Sequence, residues 1–551
     1  MHILVSIFFL KIPSLSKRFK IRHAAVLGAL LFCLPFLALA QEATMVGTVT
    51  DPSGSVIANA KITVKNVEIG LVHNITTNEA GQYVLPDLHI GHYDVKAEAT
   101  GFKAAEQKGI VLQVGDRVRV DFQMQVGVAS ETVTVEAAPI RVQTDSGEVS
   151  NIITDLQLSQ ISTNGRSFYV LAGLTAGASS NITGLLNVPV GGDSNVSFNG
   201  RRTSANIYLL DGGEDLDRGG SGNMSIAPSS DAIAEFRALT SNYSAEFGLS
   251  SAATMTMVLK SGSSTLHASA WEFNREDGFD ARDFFHPVGT VKPKLRMNIF
   301  GFNAGGPVTL GHLYNPDKKK TFFFYNMEWR RYIQGAGSNQ TVPDPATYGG
   351  DFSTVTSPIT VPSGVASSYL FANCPGGVNP SPATIIPGQP FPNNKIPSCM
   401  VNPNATALLG VGIFPSTGLT NVANGIGTFT GGAGVPTSLK EEVVRIDHNF
   451  SSKFNVFGHF VAEQISQGYA TAQWSSDNVP TVGDTFGNPS YSGVIHATHT
   501  INPRLINEVA FNYNGNRINI IPVAANGLKS LSLPTCSAPC DFSKSRLFTG
   551  P

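Results

Sequence analysis

The chain has 551 residues, a formal net charge of −2 and 14% charged residues, with 55 glycines and 33 phenylalanines. The near-neutral charge gives no basis for a nucleic-acid partner, and several domains are expected at this length. Many aromatic residues and few charges are typical of β-structure that meets a membrane. Beyond the N-terminus no run of 18 apolar residues occurs, so no transmembrane helix is predicted.

The first 40 residues have the pattern of an export signal. Its basic segment comprises Lys17, Arg18, Lys20 and Arg22. The apolar run at 24–37 that follows is too short to span a bilayer comfortably. Small residues at Ala38 and Ala40 predict cleavage between Ala40 and Gln41. An uncleaved membrane anchor is the alternative.

Residues 41–126 consist of short β-prone segments separated by turn signals, of which Asp51 to Gly54 is the first. Turns spaced about eight to twelve residues apart predict a small β-sandwich. His73, His89 and His92 are expected on strands or turns at its surface, because zinc needs more ligands at regular spacing. The region is therefore interpreted as a binding or spacer module.

A linker is predicted at 127–139, and its distinctive part is the segment 130–139. The segment alternates Thr and Val, which favours an extended strand, and it ends at Pro139. Such a segment can pair with the edge of a strand from another protein. An ordinary strand within this chain has the same pattern.

Residues 140–262 combine helical and extended patterns, as an α+β domain does. A short amphipathic helix is predicted over 152–161, with Thr154 as its N-cap. Its apolar side is expected to contain Ile153, Leu156 and, as a weaker candidate, Ile161. A second apolar helix is predicted to begin at Phe168.

The second half of this region is expected to contain a strand that ends in the Asp211–Gly212 turn. A helix capped by Asp231, with Ile233 and Phe236 packed inward, is predicted next, followed by a strand at 253–262. The glycines of the region lack the lysine and the strand–loop–helix context of a phosphate-binding loop.

From 263 onward, extended segments alternate with a period of two. The outward, lipid-facing set in one segment comprises Phe323, Tyr325, Met327 and Trp329, and the inward set comprises Asn326, Glu328 and Arg330. A later segment places Leu505, Val509, Phe511 and Tyr513 on one face. A soluble sandwich would alternate in the same way, but the aromatic residues, the export signal and the long interruption at 334–440 favour a membrane barrel. His448 and His459 are expected to face the lumen or an interface.

Five cysteines are present, and Cys33 leaves with the signal peptide. The remaining four are Cys374, Cys399, Cys536 and Cys540. Local disulfides are expected in an oxidising compartment, with the pairing left open. No metal site and no cofactor are predicted.

Two resemblances complete these predictions. The sandwich resembles a carboxypeptidase regulatory-like domain through Gly47, Asp51, Gly54, Ala60, Thr77, Gly81, Tyr83, Leu88, Gly91, Tyr93, Gly101 and Phe102. The remainder resembles TonB-dependent outer-membrane receptors of the Oar-like subgroup through 164–166, 209–212, 231–236, 241–248, 280–285, 300–307 and 445–450. The fold class implied is mainly β: a signal peptide, a sandwich, a plug at 140–262 and an incomplete transmembrane antiparallel β-barrel at 263–551.

The resemblance implies a receptor or transporter, not an enzyme. Its TonB box, which would bind the partner, would be Glu131, Thr132, Val133, Thr134, Val135, Glu136 and Ala137. The implied partners are the inner-membrane energy-transducing protein TonB, outer-membrane lipid and an unknown carbohydrate, peptide or siderophore ligand. The protein would lie in the outer membrane of a Gram-negative-type bacterium, with sandwich and plug facing the periplasm.

Two other functions were considered for such a chain. A surface adhesion or secretion-assisting protein without import is the alternative. A secreted carboxypeptidase would need zinc ligands and a general base that the sequence lacks. Because about 22 strands close a large transporter barrel, the chain is expected to be the N-terminal part of a longer receptor.

Overall fold

The computed structural model describes the chain in fourteen stretches. These are 43–127, 132–136, 146–180, 196–217, 223–244, 247, 250–281, 294–335, 338–410, 412, 414–431, 434–469, 483–502 and 505–523. The predicted signal peptide with Ala40 and Gln41 lies outside them, as do Cys536 and Cys540. Among the described residues, no helix has the length and apolar character needed to cross a membrane.

The N-terminal domain is the predicted β-sandwich. Its strands are β1 (Ala43–Thr50), β2 (Lys61–Asn66), β3 (Val72–Thr76), β4 (Gln82–Leu88), β5 (Gly91–Glu98), β6 (Ala104–Leu112), β7 (Arg117–Arg119), β8 (Phe122–Gln123) and β9 (Thr132–Glu136). One sheet has the order β4–β1–β7, with β8 also paired to β1, and the other has the order β3–β2–β5–β6–β9.

Alternation along the strands builds the sandwich core. In β2, Ile62 and Val64 are buried, whereas Lys61 and Lys65 are exposed. The hydroxyl of the buried Tyr83 donates a hydrogen bond of 2.7 Å to the carbonyl of Val120. A β-carbon at position 47 would collide with both groups, which explains why a glycine stands there.

The second domain is built on a five-stranded sheet. Its strands and those of two small sheets are β10 (Val149–Thr154), β11 (Ala178–Ser180), β12 (Val196–Phe198), β13 (Ile207–Leu210), β14 (Gly213–Glu214), β15 (Leu216–Asp217), β16 (Asn223–Met224), β17 (Ile233–Ser241) and β18 (Thr254–Leu259). The helices are α1 (Asp155–Gln160) and 3₁₀ turns at Asn164–Arg166, Phe168–Leu174 and Thr203–Ala205. The main sheet has the order β10–β17–β18–β13–β14, with β13 parallel to β18. The predicted turn at Asp211 and the predicted strand before residue 262 are confirmed.

The predicted helix at 152–161 is shorter than expected and faces another way. Thr154 is the N-cap, and its N–H donates to the side-chain oxygen of Gln157 at 3.0 Å. Leu158 is the buried residue of α1, whereas Leu156 is 63% exposed and Ile161 39% exposed. The apolar face was wrong because Ile153 belongs to β10, so the helical period starts later than the sequence pattern suggested.

Two other predicted helices are also corrected. The segment from Phe168 forms a 3₁₀ helix instead of an α-helix, with Phe168 and Tyr169 buried. The helix predicted after Asp231 is strand β17, with Ile233 and Phe236 in the core. This strand is buried on both faces, and a short continuous apolar run cannot be assigned to helix or strand by periodicity alone.

The remaining strands form a large antiparallel sheet and a small three-stranded sheet. They are β19 (His267–Glu276), β20 (Leu295–Pro307), β21 (Thr321–Gly335), β22 (Ser338–Pro343), β23 (Leu419–Ala423), β24 (Ile426–Gly431), β25 (Gly434–Ser451), β26 (Phe454–Tyr469), β27 (Gly483–Gly487), β28 (Ser490–Asn502), β29 (Leu505–Asn516) and β30 (Asn519–Val523). The large sheet runs β19–β20–β21–β25–β26, and β26 then pairs with β27 and β28 along different parts of its length. Strand β28 pairs with β29, and β27 pairs with β30. Within the described ranges β19 does not pair with β29 or β30, so the sheet is an incomplete barrel.

The two faces of this sheet have the predicted polarity. On β21 the inward Asn326, Glu328 and Arg330 are buried. Apolar side chains of the other face are exposed, as on an outer-membrane barrel. They include Val444, Ile446, Phe460, Leu505, Val509, Phe511 and Tyr513. The inward face is polar because it meets the second domain, which fills the space beside the sheet.

The segment between β21 and β25 is a folded unit, although its composition suggested an irregular loop. It contains β22, β24 and β23 as a three-stranded sheet. Its helices are α2 (Ser367–Leu370) and α3 (Pro403–Gly410), with 3₁₀ turns at Pro345–Thr347, Pro375–Gly377, Pro392–Asn394 and Ser398–Met400. A disulfide joins Cys374 to Cys399 inside a small core with Phe371 and Phe391, a pairing that the sequence had left open.

Candidate functional site

The predicted partner-binding segment forms strand β9 at the edge of the sandwich. Residues Thr132 to Glu136 pair in parallel with β6, from Ala104 opposite Thr132 to Lys108 opposite Glu136. Val133 and Thr134 are exposed. Glu131 and Ala137 lie outside the described residues. The sequence pattern fits both a strand that pairs with a foreign edge and an ordinary strand of this chain. The structure pairs one of the two sides of β9 with the protein's own sheet.

The loop after β6 joins the sandwich to the plug-like second domain. The N–H of Val114 donates to the carboxylate of Glu235 at 2.8 Å, and both groups are buried. The carbonyl of Val114 accepts a hydrogen bond from the guanidinium of Arg237, which also lies 3.5 Å from Asp116. The sandwich is therefore held at β17, a central strand of the plug sheet.

Arg237 also binds the segment that leads into the first strand of the plug, β10. Its guanidinium lies 2.6 Å from the carboxylate of Glu148 and donates to the hydroxyl of Ser150 at 3.1 Å. The residue is 2% exposed. One side chain thus connects the sandwich loop, the segment downstream of β9 and the central plug sheet.

Glu235 makes this junction sensitive to pH. Burial raises its pKa from an ordinary 4.5 to about 7, although the Val114 N–H partly offsets the effect. Between pH 4.5 and 7 the folded protein therefore binds the extra proton, and stability falls as pH rises through this window.

We expect Glu235→Gln to remove this dependence, because glutamine accepts the Val114 hydrogen bond without ionising. At pH 8 the variant should be about 3 kcal/mol more stable than wild type, with no difference at pH 4. Urea unfolding of both proteins at several pH values measures this difference. Equal pH slopes for the two proteins would contradict the assignment.

A buried ionic network fixes the plug to the barrel wall. The carboxylate of Asp211, in the turn after β13, lies 3.0 Å from the guanidinium of Arg445 and 2.7 Å from Nδ1 of His459. Arg445 also lies 2.9 Å from Asp447. Burial alone would raise the pKa of Asp211, but Arg445 and His459 outweigh it and hold that pKa below its ordinary value.

A second plug contact uses barrel glutamates. The backbone N–H of Ser229 donates to both oxygens of Glu441 at 2.9 and 3.0 Å, and its hydroxyl donates to Glu328 at 2.8 Å. Glu328 also accepts from Arg330 at 2.6 Å and from the indole of Trp271 at 2.9 Å. These bonds position one plug segment across two neighbouring strands, β21 and β25.

Replacing Asp211 with alanine should loosen the plug. The change leaves the buried Arg445 guanidinium with a single carboxylate partner, so we expect the free energy of unfolding to fall by about 2–4 kcal/mol. Asp351→Ala is the matched control, since Asp351 forms an exposed pair with Lys395 and should cost under about 1 kcal/mol. Denaturant titration that monitors the plug separates the two cases, and similar losses for both would count against the network.

The sandwich also contacts the segment that connects plug strand β18 to β19, the first strand of the large sheet. The carbonyl of Glu68 accepts from the N–H of Ser264 at 3.2 Å and from its hydroxyl at 2.7 Å. A cavity of about 860 Å³ lies where sandwich, plug and barrel meet, lined by groups such as Glu235, Lys260, Arg445 and His496.

Three of the histidines contact polar side chains of the protein itself. His92 contacts Glu68 at 2.6 Å on the sandwich, and His459 faces the plug. His448 lies 2.7 Å from the hydroxyl of Thr321. No group of three or more metal-ligating residues occurs in the part of the chain that the structure describes; the absence of a metal site stays a prediction.

The polar residues that join the domains are not among the site residues predicted from the sequence. Glu235 and Arg237 were visible as two charges inside the apolar run of β17, a pattern that indicates buried polar partners. Asp211 was treated only as a turn residue. Arg445 and Glu441 lie on β25, and their plug partners cannot be deduced from alternation along that strand.

Comparison with known families agrees with this architecture. Residues 258–543, just over half of the chain, match the model described as an outer membrane beta barrel domain. The chain belongs to this outer-membrane β-barrel family. Residues 44–125 match the carboxypeptidase regulatory-like domain, as the sequence resemblance predicted.

Curated and solved relatives extend the comparison. The TonB-dependent transporter Oar of Myxococcus xanthus is 26% identical over 303 residues, which cover 52% of this chain and 26% of that transporter. The chain thus spans about a quarter of this relative's length. The outer membrane transporter YddB from Escherichia coli has a TM-score of 0.39 at 9% identity, covering 66% of this chain and 38% of its own. The siderophore receptor PirA from Acinetobacter baumannii has a TM-score of 0.32 at 11% identity, with coverages of 68% and 45%.

Proposed function

We propose that the protein is a TonB-dependent outer-membrane transporter whose plug is displaced by force applied at strand β9. The observation that carries this proposal is the position of β9. An accessible edge strand of the sandwich lies upstream of the domain that packs against the inward face of the large sheet. The similarity to Oar supports the same family of functions.

The partner would be an inner-membrane TonB protein that captures Glu131 to Ala137 by strand addition. Strand addition needs an extended segment with one free edge, and β9 meets this condition within the described residues. The sandwich and the plug would face the periplasm, because the partner reaches the receptor from that side. Outer-membrane lipid would surround the exposed apolar face of the sheet.

Force at β9 would reach the plug at Arg237 and β10. Strand β10 is the next strand after β9 and pairs with β17, and Arg237 holds both Glu148 and Val114. The contacts to be broken next are the hydrogen bonds of Ser229 and the ion pairs of Asp211 with the barrel. Because these contacts are several and buried, they would hold the plug in place until a pulling force breaks them.

The protein would carry its ligand without transforming it. No catalytic residue is proposed, and the ligand, whether carbohydrate, peptide or siderophore, would bind to the plug and the outer loops. Segments of low local stability are those that open first.

A labelling experiment tests the proposal without a known ligand. Ala227 is 2% exposed and lies in the plug core near the barrel. In cells that produce Ala227→Cys, a maleimide that enters the periplasm should label position 227 only while the inner membrane is energised. Deleting 131–137 should abolish this energised labelling.

The same deletion separates transport from the alternative. An adhesion or secretion-assisting protein would keep its surface activity after loss of 131–137, and its labelling would not depend on energy. Labelling that is equal in energised, uncoupled and deletion cells would refute energised plug displacement. A protein level and outer-membrane fraction equal to wild type are the required controls.

A further inference from the structure

Strand β9 ends a five-stranded sheet, and no described strand pairs with its outer edge. Within the described residues it pairs only with β6. The other edge therefore presents a row of backbone N–H and C=O groups that another strand can bind. An extended backbone is the one chemical partner that matches such a row along its length.

The position of this edge favours access from outside the protein. The opposite edge of the same sheet is β3, four strands away. At about 4.8 Å between neighbouring strands, the two edges lie about 19 Å apart. The β3 side carries His73, which lies beside the barrel turn at Ser452. The β9 edge therefore lies on the side of the sheet remote from this barrel turn.

We infer that the TonB protein's strand pairs with β9 while β9 remains paired with β6. This inference rests on the proposed function and specifies its docking surface: the partner extends the sandwich sheet from five strands to six, instead of capturing a free peptide. The occupant is an extended edge strand of the periplasmic domain of TonB.

Two physical reasons favour capture on the sheet. A free segment loses conformational entropy when it becomes a strand, and that loss opposes binding. Strand β9 is already ordered by β6, so the sheet should bind the partner at least about tenfold more tightly than a free peptide of the same sequence.

The second reason is the route from β6 to the plug. Strand β6 ends at Leu112, two residues before Val114. Val114 is held by Glu235 and Arg237 of the plug. A partner docked on the sheet would therefore pull on the plug through β6 as well as through the covalent chain.

A disulfide lock tests the inference. Glu106 and Thr134 are opposite each other in β6 and β9, with their side-chain oxygens 3.5 Å apart. Glu106→Cys/Thr134→Cys in the full-length protein fixes β9 on the sandwich when oxidised and releases it when reduced. The probe is the purified periplasmic domain of TonB, and its dissociation constant is measured for both states and for a synthetic 130–139 peptide.

The matched control is a lock on the remote edge of the sheet. Lys61 and Thr76 are opposite each other in β2 and β3, so Lys61→Cys/Thr76→Cys should bind the probe equally well in both redox states. For the β9 lock, we expect the oxidised form to bind within about threefold of the reduced form and at least about tenfold more tightly than the peptide.

The other outcomes are distinguishable. Loss of binding on oxidation with recovery on reduction would refute docking on the sheet and leave TonB capture standing. A peptide that binds as tightly as the protein would refute the sheet's contribution. Absence of binding by both protein states and the peptide would refute the proposed function together with the inference.

Hydrogen exchange on the wild-type protein gives a second test without substitutions. On addition of the TonB domain, the amides of 132–136 should gain protection while those of 104–108 keep theirs. Increased exchange at 104–108 in the complex would mean that β9 leaves β6, and would overturn the inference even if the locked variant failed to fold.

Discussion

Replacing Val133 with proline is expected to abolish capture by TonB, with binding of its purified periplasmic domain weakened by about 100-fold or more. Proline removes one N–H from the strand and disturbs the neighbouring backbone, which costs roughly 3 kcal/mol in a regular element. Val133 is in the centre of the predicted box and its side chain is exposed. The loss should therefore come from the backbone and not from the sandwich core.

Val133→Ala is the matched control for this prediction. Strand addition uses main-chain hydrogen bonds, so alanine should change the affinity by less than about fivefold. Energised labelling of Ala227→Cys should disappear in the proline variant and persist in the alanine variant, whereas binding of external ligand should be retained by both. Equal capture of the two variants would show that the segment is not the site of strand addition.

Replacing Arg237 with methionine is expected to lower the free energy of unfolding by about 3–5 kcal/mol, because it leaves buried carboxylates without their cation. The carboxylates are Glu148 and Asp116, whose side chains are 13% and 11% exposed. The sandwich should also separate from the plug. The measurements are urea unfolding and hydrogen exchange at Val114 and along β10.

Two further variants test whether the loss of stability in Arg237→Met comes from the buried contacts of the guanidinium. Arg119→Met removes an arginine whose pair with Asp121 is 3.4 Å long and solvent-exposed, and this should cost under about 1 kcal/mol. Arg237→Lys should recover little, since a single ammonium cannot replace a guanidinium that contacts several acceptors. Full stability in Arg237→Lys would indicate that charge alone holds the junction.

The sequence predicted the strand-rich architecture well because alternation has a direct structural cause. In β21 and β29, residues of one polarity face inward and those of the other face outward, and a period of two follows. The sandwich turns and the Asp211 turn were predicted from residues that favour those backbone conformations. The TonB box stays a prediction, made from the position of the segment between two recognisable domains.

The parts that could not be predicted depend on tertiary contacts. Strand β17 was expected as a helix because both of its faces are buried, which removes the alternation that identifies strands. The pairing of β9 with β6 brings together residues 28 positions apart, and no local pattern records such a pairing. The same holds for Arg237, whose side-chain partners come from two distant segments, 114–116 and 148–150.

The disulfide between Cys374 and Cys399 stabilises the folded segment between β21 and β25. The disulfide closes a loop of 25 residues and so lowers the chain entropy of the unfolded state. In the loop-entropy model this raises the free energy of unfolding by about 3–4 kcal/mol. Disulfides form in the periplasm and not in the cytosol. We therefore expect the cluster around Phe371 and Phe391 to reach its full stability only after Cys374 and Cys399 are oxidised.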